Sequence, residues 1–123
     1  DSVIKKITTF ILIIIILFSL SSCSAEKYGK DLDKSLKKVK IKDIFINQSL
    51  IGQKVIVEGI IITQCQSKGC WFFMNDNTGT IFINLAPMGI NLPPKTGKRA
   101  VVMGKIVTME GNTIINAEGL EIN

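Results

Sequence analysis

The chain has 123 residues, of which 46% are hydrophobic, and it carries a formal net charge of +5 with no histidine. This composition excludes imidazole, the commonest general base and metal ligand in proteins. The positive charge is local: seven lysines stand against three acidic residues between 24 and 42, whereas six basic residues balance six acidic ones from 43 to 123. The neutral part does not favour nucleic-acid binding, which needs a basic surface.

Residues 1–22 have the pattern of an export signal. Lys5 and Lys6 precede an apolar run over 7–20, and small residues follow it. The run is shorter than the roughly 20 apolar residues that a helix needs to cross a bilayer. The order of charged, apolar and small residues therefore predicts a cleavable signal peptide rather than a permanent membrane span.

The end of this segment carries a lipidation motif. Leu20, Ser21, Ser22 and Cys23 resemble the lipobox of bacterial lipoproteins. The resemblance implies that the Cys23 thiol is acylated and that Cys23 becomes the first mature residue. Since two acyl chains give stable anchoring, we expect a lipid-anchored protein of the bacterial cell envelope, facing the periplasm or the extracellular side. Ordinary cleavage near Ser22, with an incidental cysteine, is the alternative.

Residues 23–42 are predicted to form a lipidated, lysine-rich linker. They offer few apolar side chains to bury. Their basic excess is typical of a solvated tether, and it would also attract anionic lipid head groups. Ordered structure is expected to begin near residue 43, so that residues 43–123 form one small domain.

The domain over 43–123 is predicted to be all-β. Gly59 in the middle of the first strand indicates a bulge or a bend. Five strands in this order fit a small OB-like Greek-key barrel, and another small barrel or a compact sandwich is the alternative. The proline-rich segment after the third strand predicts a reduced or missing helix. Segments rich in β-branched and aromatic residues, bounded by turn-forming residues, give the strands as 54–63, 70–74, 80–85, 99–108 and 113–122.

The most informative stretch runs from Cys65 through Cys70 to Trp71. Glycine precedes Cys70, a strand over 54–59 contains Lys-Val-Ile-Val-Glu-Gly, and a turn over 76–79 begins with Asp and ends with Gly. This pattern resembles that of small exported bacterial OB-fold domains of unassigned biochemical role. The resemblance implies the fold more than any activity.

Cys65 and Cys70 lie at the two ends of a predicted hairpin turn. In the oxidising compartment reached after export, nearby thiols normally form a disulfide, and a structural disulfide without a cofactor is the favoured interpretation. A second interpretation is a Cu(I) site in which Met74 joins the two thiolates, since soft sulfur ligands suit this ion. A third is a redox-active cysteine pair.

The strand over 70–74 also presents aromatic residues. Because side chains alternate along a strand, Trp71 and Phe73 share one face, and Cys70, Phe72 and Met74 share the other. One of these faces must belong to the core. Trp71 and Phe73 are candidates for a ligand face, since OB-folds stack single-stranded nucleic acid on such residues. The neutral charge and the expected location argue against that ligand.

Together these features predict a membrane-anchored, non-catalytic binding module. The sequence shows no nucleophile beside a base, no two carboxylates at a spacing typical of a catalytic pair and no phosphate-binding loop, so an enzyme is not expected. Asp76 is interpreted as an Asx-turn residue rather than an acid catalyst. The expected partners are the membrane, through the lipid, and an envelope protein or small ligand, with no nucleic acid. A thiol or copper protein and a single-stranded nucleic-acid binder are the alternatives.

Overall fold

The computed structural model describes residues 2–20, 25–67 and 69–123. Helix α1 spans Ser2–Leu20, inside the predicted signal peptide. Among the described residues, no helix combines the length and the hydropathy that a membrane crossing requires. The predicted lipidation residue, Cys23, and one residue of the predicted hairpin turn, Lys68, lie outside the described residues.

The described part of the chain after α1 contains six strands and one short helix. Helix α2 spans Ile41–Ile46, and single 3-10 turns span Gln48–Leu50 and Ala86–Met88. The last five strands are those that the sequence predicts, with bounds that differ by one residue at most. The strands are β1 Glu26–Gly29, β2 Lys54–Gln64, β3 Trp71–Asn75, β4 Thr80–Asn84, β5 Arg99–Met109 and β6 Asn112–Ile122.

Strands β2 to β6 close into a barrel. β2 pairs with β3 and β5, β3 pairs with β4, and β5 pairs with β6, all in antiparallel fashion. A parallel pairing of β4 with β6, at Ile83 and Ile115, completes the ring. This connectivity confirms the predicted five-stranded OB-like barrel. The helix between its third and fourth strands is reduced to the 3-10 turn Ala86–Met88, as predicted.

Gly59 lies where β2 leaves one partner strand for another. Residues 54–60 of β2 pair with β5, and residues 60–64 pair with β3. A Cβ atom at position 59 would lie 2.6 Å from the carbonyl oxygen of Asn75, so only glycine lets the two strands approach this closely. The register shifts just beyond it, between Ile61 and Thr63. The predicted irregularity is therefore present, and it bends β2 around the barrel.

The predicted linker over 23–42 is wrong for residues from 26 onward. β1 pairs with the end of β6, beginning with Glu26 opposite Ile122. Val39 and Ile41 are buried with the barrel core. The edge of β6 offers backbone groups that need partners, and pairing with a short strand satisfies them. The part of the chain that packs on the barrel therefore includes residues from 26 onward rather than from near residue 43.

Three lysines of this segment also contact the barrel. Their partners are acidic side chains on β2 and β6. The ion pairs are Lys27 with Glu121, Lys30 with Glu118, and Lys38 with Glu58. Exposed pairs of this kind contribute at most about 1 kcal/mol each, so they supplement the apolar contacts of Val39 and Ile41. The basic excess thus lies partly on the folded surface and not only on a tether.

Candidate functional site

The two faces of β3 have different environments. Phe72 and Met74 face the core, and 0% of each residue is exposed. Trp71 and Phe73 face outward and are half-buried. The alternation predicted for these four residues is confirmed, and the closed barrel identifies the face with Trp71 and Phe73 as the outer one.

Trp71, Phe73 and Phe82, the last from β4, form an aromatic cluster on this outer face. The rings of Trp71 and Phe82 are stacked, with centroids 5.5 Å apart and planes inclined by 29°. Phe73 stands edge-on to both rings, 5.7 Å from Trp71 and 5.3 Å from Phe82. Aromatic pairs in these geometries gain about 0.5–1.5 kcal/mol beyond area burial. The cluster is therefore a mutually supported platform.

A cavity of about 470 Å³ adjoins the aromatic cluster. It extends from Phe73 and Phe82 to the turn between β5 and β6. Phe45 from α2 and Met109 from β5 also line it, and they are 49% and 45% exposed. Of the described residues around this cavity, Glu110 alone carries a charge. The outer face thus combines aromatic surface with a shallow, mostly uncharged recess.

Two asparagines border Trp71. Asn84 lies opposite Trp71 in the β3–β4 pair, and Asn116 lies beside Asn84 in the β4–β6 pair. Asn84 Nδ2 donates a hydrogen bond to Asn116 Oδ1 at 3.0 Å, and Asn84 Oδ1 accepts one from the N–H of Ala86 at 3.1 Å. These bonds fix both amides, so the aromatic cluster has an oriented polar edge.

The hairpin over 65–70 connects β2 to β3 next to Trp71. The N–H of Cys65 donates to the carbonyl of Trp71 at 3.1 Å, and the N–H of Leu85 donates to the carbonyl of Cys70 at 2.9 Å. Both cysteines are half-buried, and Cys65 Sγ lies 3.6 Å from Ser67 Oγ. The disulfide between Cys65 and Cys70 stays a prediction.

Met74 lies apart from the two cysteines. It follows Cys70 along the β3 direction by four residues, which is about 13 Å at the rise of a strand. Its cross-strand neighbours are Ile61 and Ile81 in the core. The structure thus does not bring the three predicted Cu(I) ligands together. In the described ranges, no group of three or more His, Cys, Asp or Glu residues could hold a metal ion, and copper binding stays a prediction.

Gln64 is a buried polar residue that the sequence did not single out. Its Nε2 donates to the carbonyls of Leu92 at 3.3 Å and Pro93 at 3.1 Å, and its Oε1 accepts from the N–H of Lys95 at 2.7 Å. These bonds hold the loop over 91–96 against the hairpin. Simple alternation from Val57 and Ile61 would place position 63 in the core, but the register shift between Ile61 and Thr63 turns Gln64 inward instead. The sequence therefore contains no signal for this residue.

A cleft of about 620 Å³ separates the hairpin from this loop. Its walls include Cys65 and small or polar residues such as Thr63, Ser67 and Asn91. It is larger than the recess beside the aromatic cluster, but it offers no aromatic ring among its described residues. We therefore regard the aromatic cluster as the stronger candidate for ligand binding, because aromatic rings dominate the energetics of recognition surfaces.

Asp76 orders the turn between β3 and β4 and the start of α2. One carboxylate oxygen accepts bonds from the N–H groups of Thr78 at 2.9 Å and Gly79 at 3.2 Å, and the other accepts from the N–H of Ile41 at 2.9 Å. Partial burial raises the pKa of this carboxyl, but the hydrogen bonds outweigh burial and hold the pKa below its usual value. The predicted Asx turn is confirmed.

Phe82 is the member of the aromatic cluster that the sequence interpretation did not name. It lies at the centre of β4, Thr80–Asn84, where Ile81 and Ile83 are buried and Phe82 is half-buried on the opposite face. The alternation was visible in the sequence. Its cross-strand partner Phe73 was not, because strand register depends on the folded sheet.

No protein-family model and no curated protein sequence matches this chain. Its fold is similar to that of the hypothetical protein YgiW from E. coli, with a TM-score of 0.57 and 15% identity over 77% of this chain and 99% of that one. A Leishmania major Friedlin protein described as an aspartyl-tRNA synthetase gives a TM-score of 0.59 at 9% identity. That match covers 80% of this chain but 23% of the synthetase.

The Stn1–Ten1 complex of S. pombe is a third similar structure. Its TM-score is 0.50 at 15% identity, over 72% of this chain and 75% of that one. At these identities the three structures establish the OB-fold of the barrel and carry no information about its ligand.

Proposed function

We propose that the protein is a membrane-anchored, non-catalytic binding module of the bacterial cell envelope. Its ligand binds to the aromatic cluster on the outer face of β3 and β4. The cluster is the observation that carries this proposal, because it places three half-buried rings on a surface where water-exposed residues are normally polar.

The position of the cluster within the barrel supports the same conclusion. OB-folds bind ligands on the face of their second and third barrel strands and with the loops that flank it. Here these strands are β3 and β4. The hairpin over 65–70 lies next to Trp71, and the turn that contains Glu110 borders the recess at the other end. The cluster thus occupies the surface that this fold commonly uses for recognition.

The anchor in this proposal is the acylated Cys23. Its support is the order of the signal residues and the lipobox-like segment that ends at Cys23. Because β1 begins at Glu26, only three residue steps separate the acylated cysteine from the barrel, a span of about 10 Å at full extension. A lipid at Cys23 would therefore hold the barrel close to the membrane surface.

Mass spectrometry of the membrane fraction tests the anchor. We expect a mature N-terminal peptide that starts at Cys23 and carries the mass of acyl chains. Cys23→Ser removes this lipid adduct, whereas the matched control Cys65→Ser retains it because Cys65 lies in the folded barrel. An unmodified Cys23 in the wild-type membrane fraction would contradict the anchor.

The carboxylates with shifted pKa values support a non-catalytic role. A hydrogen bond from Lys38 lowers the pKa of Glu58 most strongly, and the charges of Lys38 and Arg99 act in the same direction. The pKa of Asp76 is also lowered. A general acid at neutral pH needs a raised pKa. These groups are therefore ionised partners of structural hydrogen bonds rather than acid catalysts.

A structural disulfide between Cys65 and Cys70 is part of this proposal. Its support is their position at adjoining ends of β2 and β3, together with the export signal that the sequence predicts. Exchange with an oxidised dithiol partner in the envelope would form the S–S bond, and that partner would take up two electrons and two protons. Intact mass under non-reducing conditions would show the loss of two hydrogens, and Cys70→Ser would abolish that loss.

The fluorescence of Trp71 tests the binding role, since it is the single tryptophan of the chain. A ligand that stacks on the aromatic cluster is expected to shift its emission. The matched control is Ile62→Ala, because Ile62 is an exposed apolar residue that lines the other cleft. If glycans, peptides, lipid head groups and oligonucleotides all leave the emission unchanged, the proposed binding face is wrong.

A further inference from the structure

The aromatic cluster has an unusual electrostatic surrounding for an OB-fold surface. The described residues that line its recess include Thr80, Asn112 and Thr113 as polar groups. Glu110, the one charged residue among them, is acidic. Binding of a phosphate polymer relies on lysine and arginine along its path. Here one lysine, Lys105 opposite Asn116 in the β5–β6 pair, stands against Glu110 at the recess. The surface therefore lacks a run of basic residues and favours a ligand without net charge.

The geometry of the rings suits a flat, ring-shaped ligand. Trp71 and Phe82 are stacked, with their planes 29° apart, so Phe82 backs one face of the indole ring and a ligand can stack on the other. Phe73, edge-on to both, supports them from the side. Such a surface can stack on the apolar face of a sugar ring or on a nucleobase. The local charge therefore decides between these two ligand classes.

The polar edge of the cluster suits hydroxyl groups. Asn116 Oδ1 and both polar atoms of Asn84 are held by hydrogen bonds at 3.0 and 3.1 Å. An amide fixed in this way keeps its remaining donor and acceptor positions directed, since each amide has two donors and two lone pairs. Fixed amides beside a stacking surface match a ligand with an apolar face and a rim of hydroxyl groups.

We propose that the ligand of the aromatic cluster is an uncharged oligosaccharide. One sugar ring stacks on the face of Trp71 that Phe82 does not cover, and its hydroxyl groups bond to the amide edge at Asn84 and Asn116. OB-folds are able to bind oligosaccharides as well as oligonucleotides. This inference rests on the proposed binding role of the cluster, and it names the chemical class of the ligand.

The experiment titrates the full chain, in a detergent without a sugar head group, with oligomers of N-acetylglucosamine and of glucose. Calorimetry measures affinity, and Trp71 emission reports stacking. We expect Trp71→Ala to weaken oligosaccharide binding about tenfold, as the loss of one stacking ring does elsewhere, and Phe82→Ala, which removes the support of that ring, to weaken it less. Ile62→Ala is expected to leave the affinity unchanged. Thermal unfolding of each variant shows that it is folded.

An oligothymidylate of matched length is the opposing probe. We expect oligosaccharide binding to be independent of salt, whereas nucleic-acid binding would weaken steeply as salt rises. If oligothymidylate binds the cluster and the oligosaccharides do not, the ligand class is wrong while the binding role survives. Failure of both oligosaccharides to bind, or binding that is unaffected by Trp71→Ala and Phe82→Ala, would also overturn the inference.

Discussion

The inner and outer faces of β3 carry similar side chains and have different roles. Phe72 and Met74 on the inner face are completely buried and fill the barrel. Trp71 and Phe73 on the outer face remain half-exposed and pack mainly against Phe82 and one another. Core packing accounts for the apolar character of the inner face, and we propose ligand recognition as the cause on the outer face.

Alanine substitutions of Phe72 and Phe73 test this difference between the two faces. Phe72→Ala has the largest expected effect on stability. Phe72→Ala would leave a cavity in the core and should lower the free energy of unfolding by about 3–5 kcal/mol. Phe73→Ala should lower it by about 1–3 kcal/mol, because its half-buried ring loses two aromatic pairs without leaving a closed cavity. Denaturant unfolding of both variants measures the difference, and equal losses would show that the outer face is also structural core.

Asp76 directly follows the end of β3, and its replacement should have an intermediate effect on the free energy of unfolding. Asp76→Asn keeps one acceptor for Thr78 and Gly79 but places an amide N–H against the N–H of Ile41. The free energy of unfolding should fall by about 1–3 kcal/mol at pH 7, as it does when a buried donor loses its acceptor. The same denaturant series measures it, with Asn77→Gly in the same turn as the control, because glycine adopts the φ of 73° at this position without strain.

The pH dependence of stability gives an independent measure of Asp76. Its pKa in the folded protein lies below the unfolded value of about 3.9. The ionised carboxylate therefore stabilises the fold above about pH 4, and this contribution is lost as pH falls through the folded pKa. Asp76→Asn should lose less stability than the wild type between pH 7 and pH 3. An identical loss in both proteins would contradict this assignment.

The smallest expected effect belongs to the exposed ion pairs that hold residues 26–42 on the barrel. Glu58 bonds to Lys38 and lies 3.5 Å from Arg99. Because Lys38 and Arg99 are largely exposed, Glu58→Gln should cost at most about 1 kcal/mol. Thermal unfolding at low and high salt measures this cost. A much larger loss would mean that charge, rather than the burial of Val39 and Ile41, docks the segment.

Much of the barrel could be predicted because its signals are local. β-branched runs, turn residues and the glycine in β2 fix where the strands begin and end, and the structure confirms all five. The prediction failed for β1. Glu26–Gly29 has no alternating apolar pattern of its own, and it becomes a strand because the edge of β6 is available. The local sequence of a four-residue segment does not indicate a pairing strand that lies 90 or more residues away in sequence.

The candidate site, like the barrel, could be predicted only in part. Alternation along the strand by itself determined that Trp71 and Phe73 share a face, and the spacing of Cys65 and Cys70 determined that they end neighbouring strands. Tertiary structure decided that the Trp71 face is outside, that Phe82 completes it, and that Met74 is buried away from the cysteines. The physical reason is that side-chain alternation is a property of one strand, whereas inside and outside exist only once β2 to β6 have closed around a core.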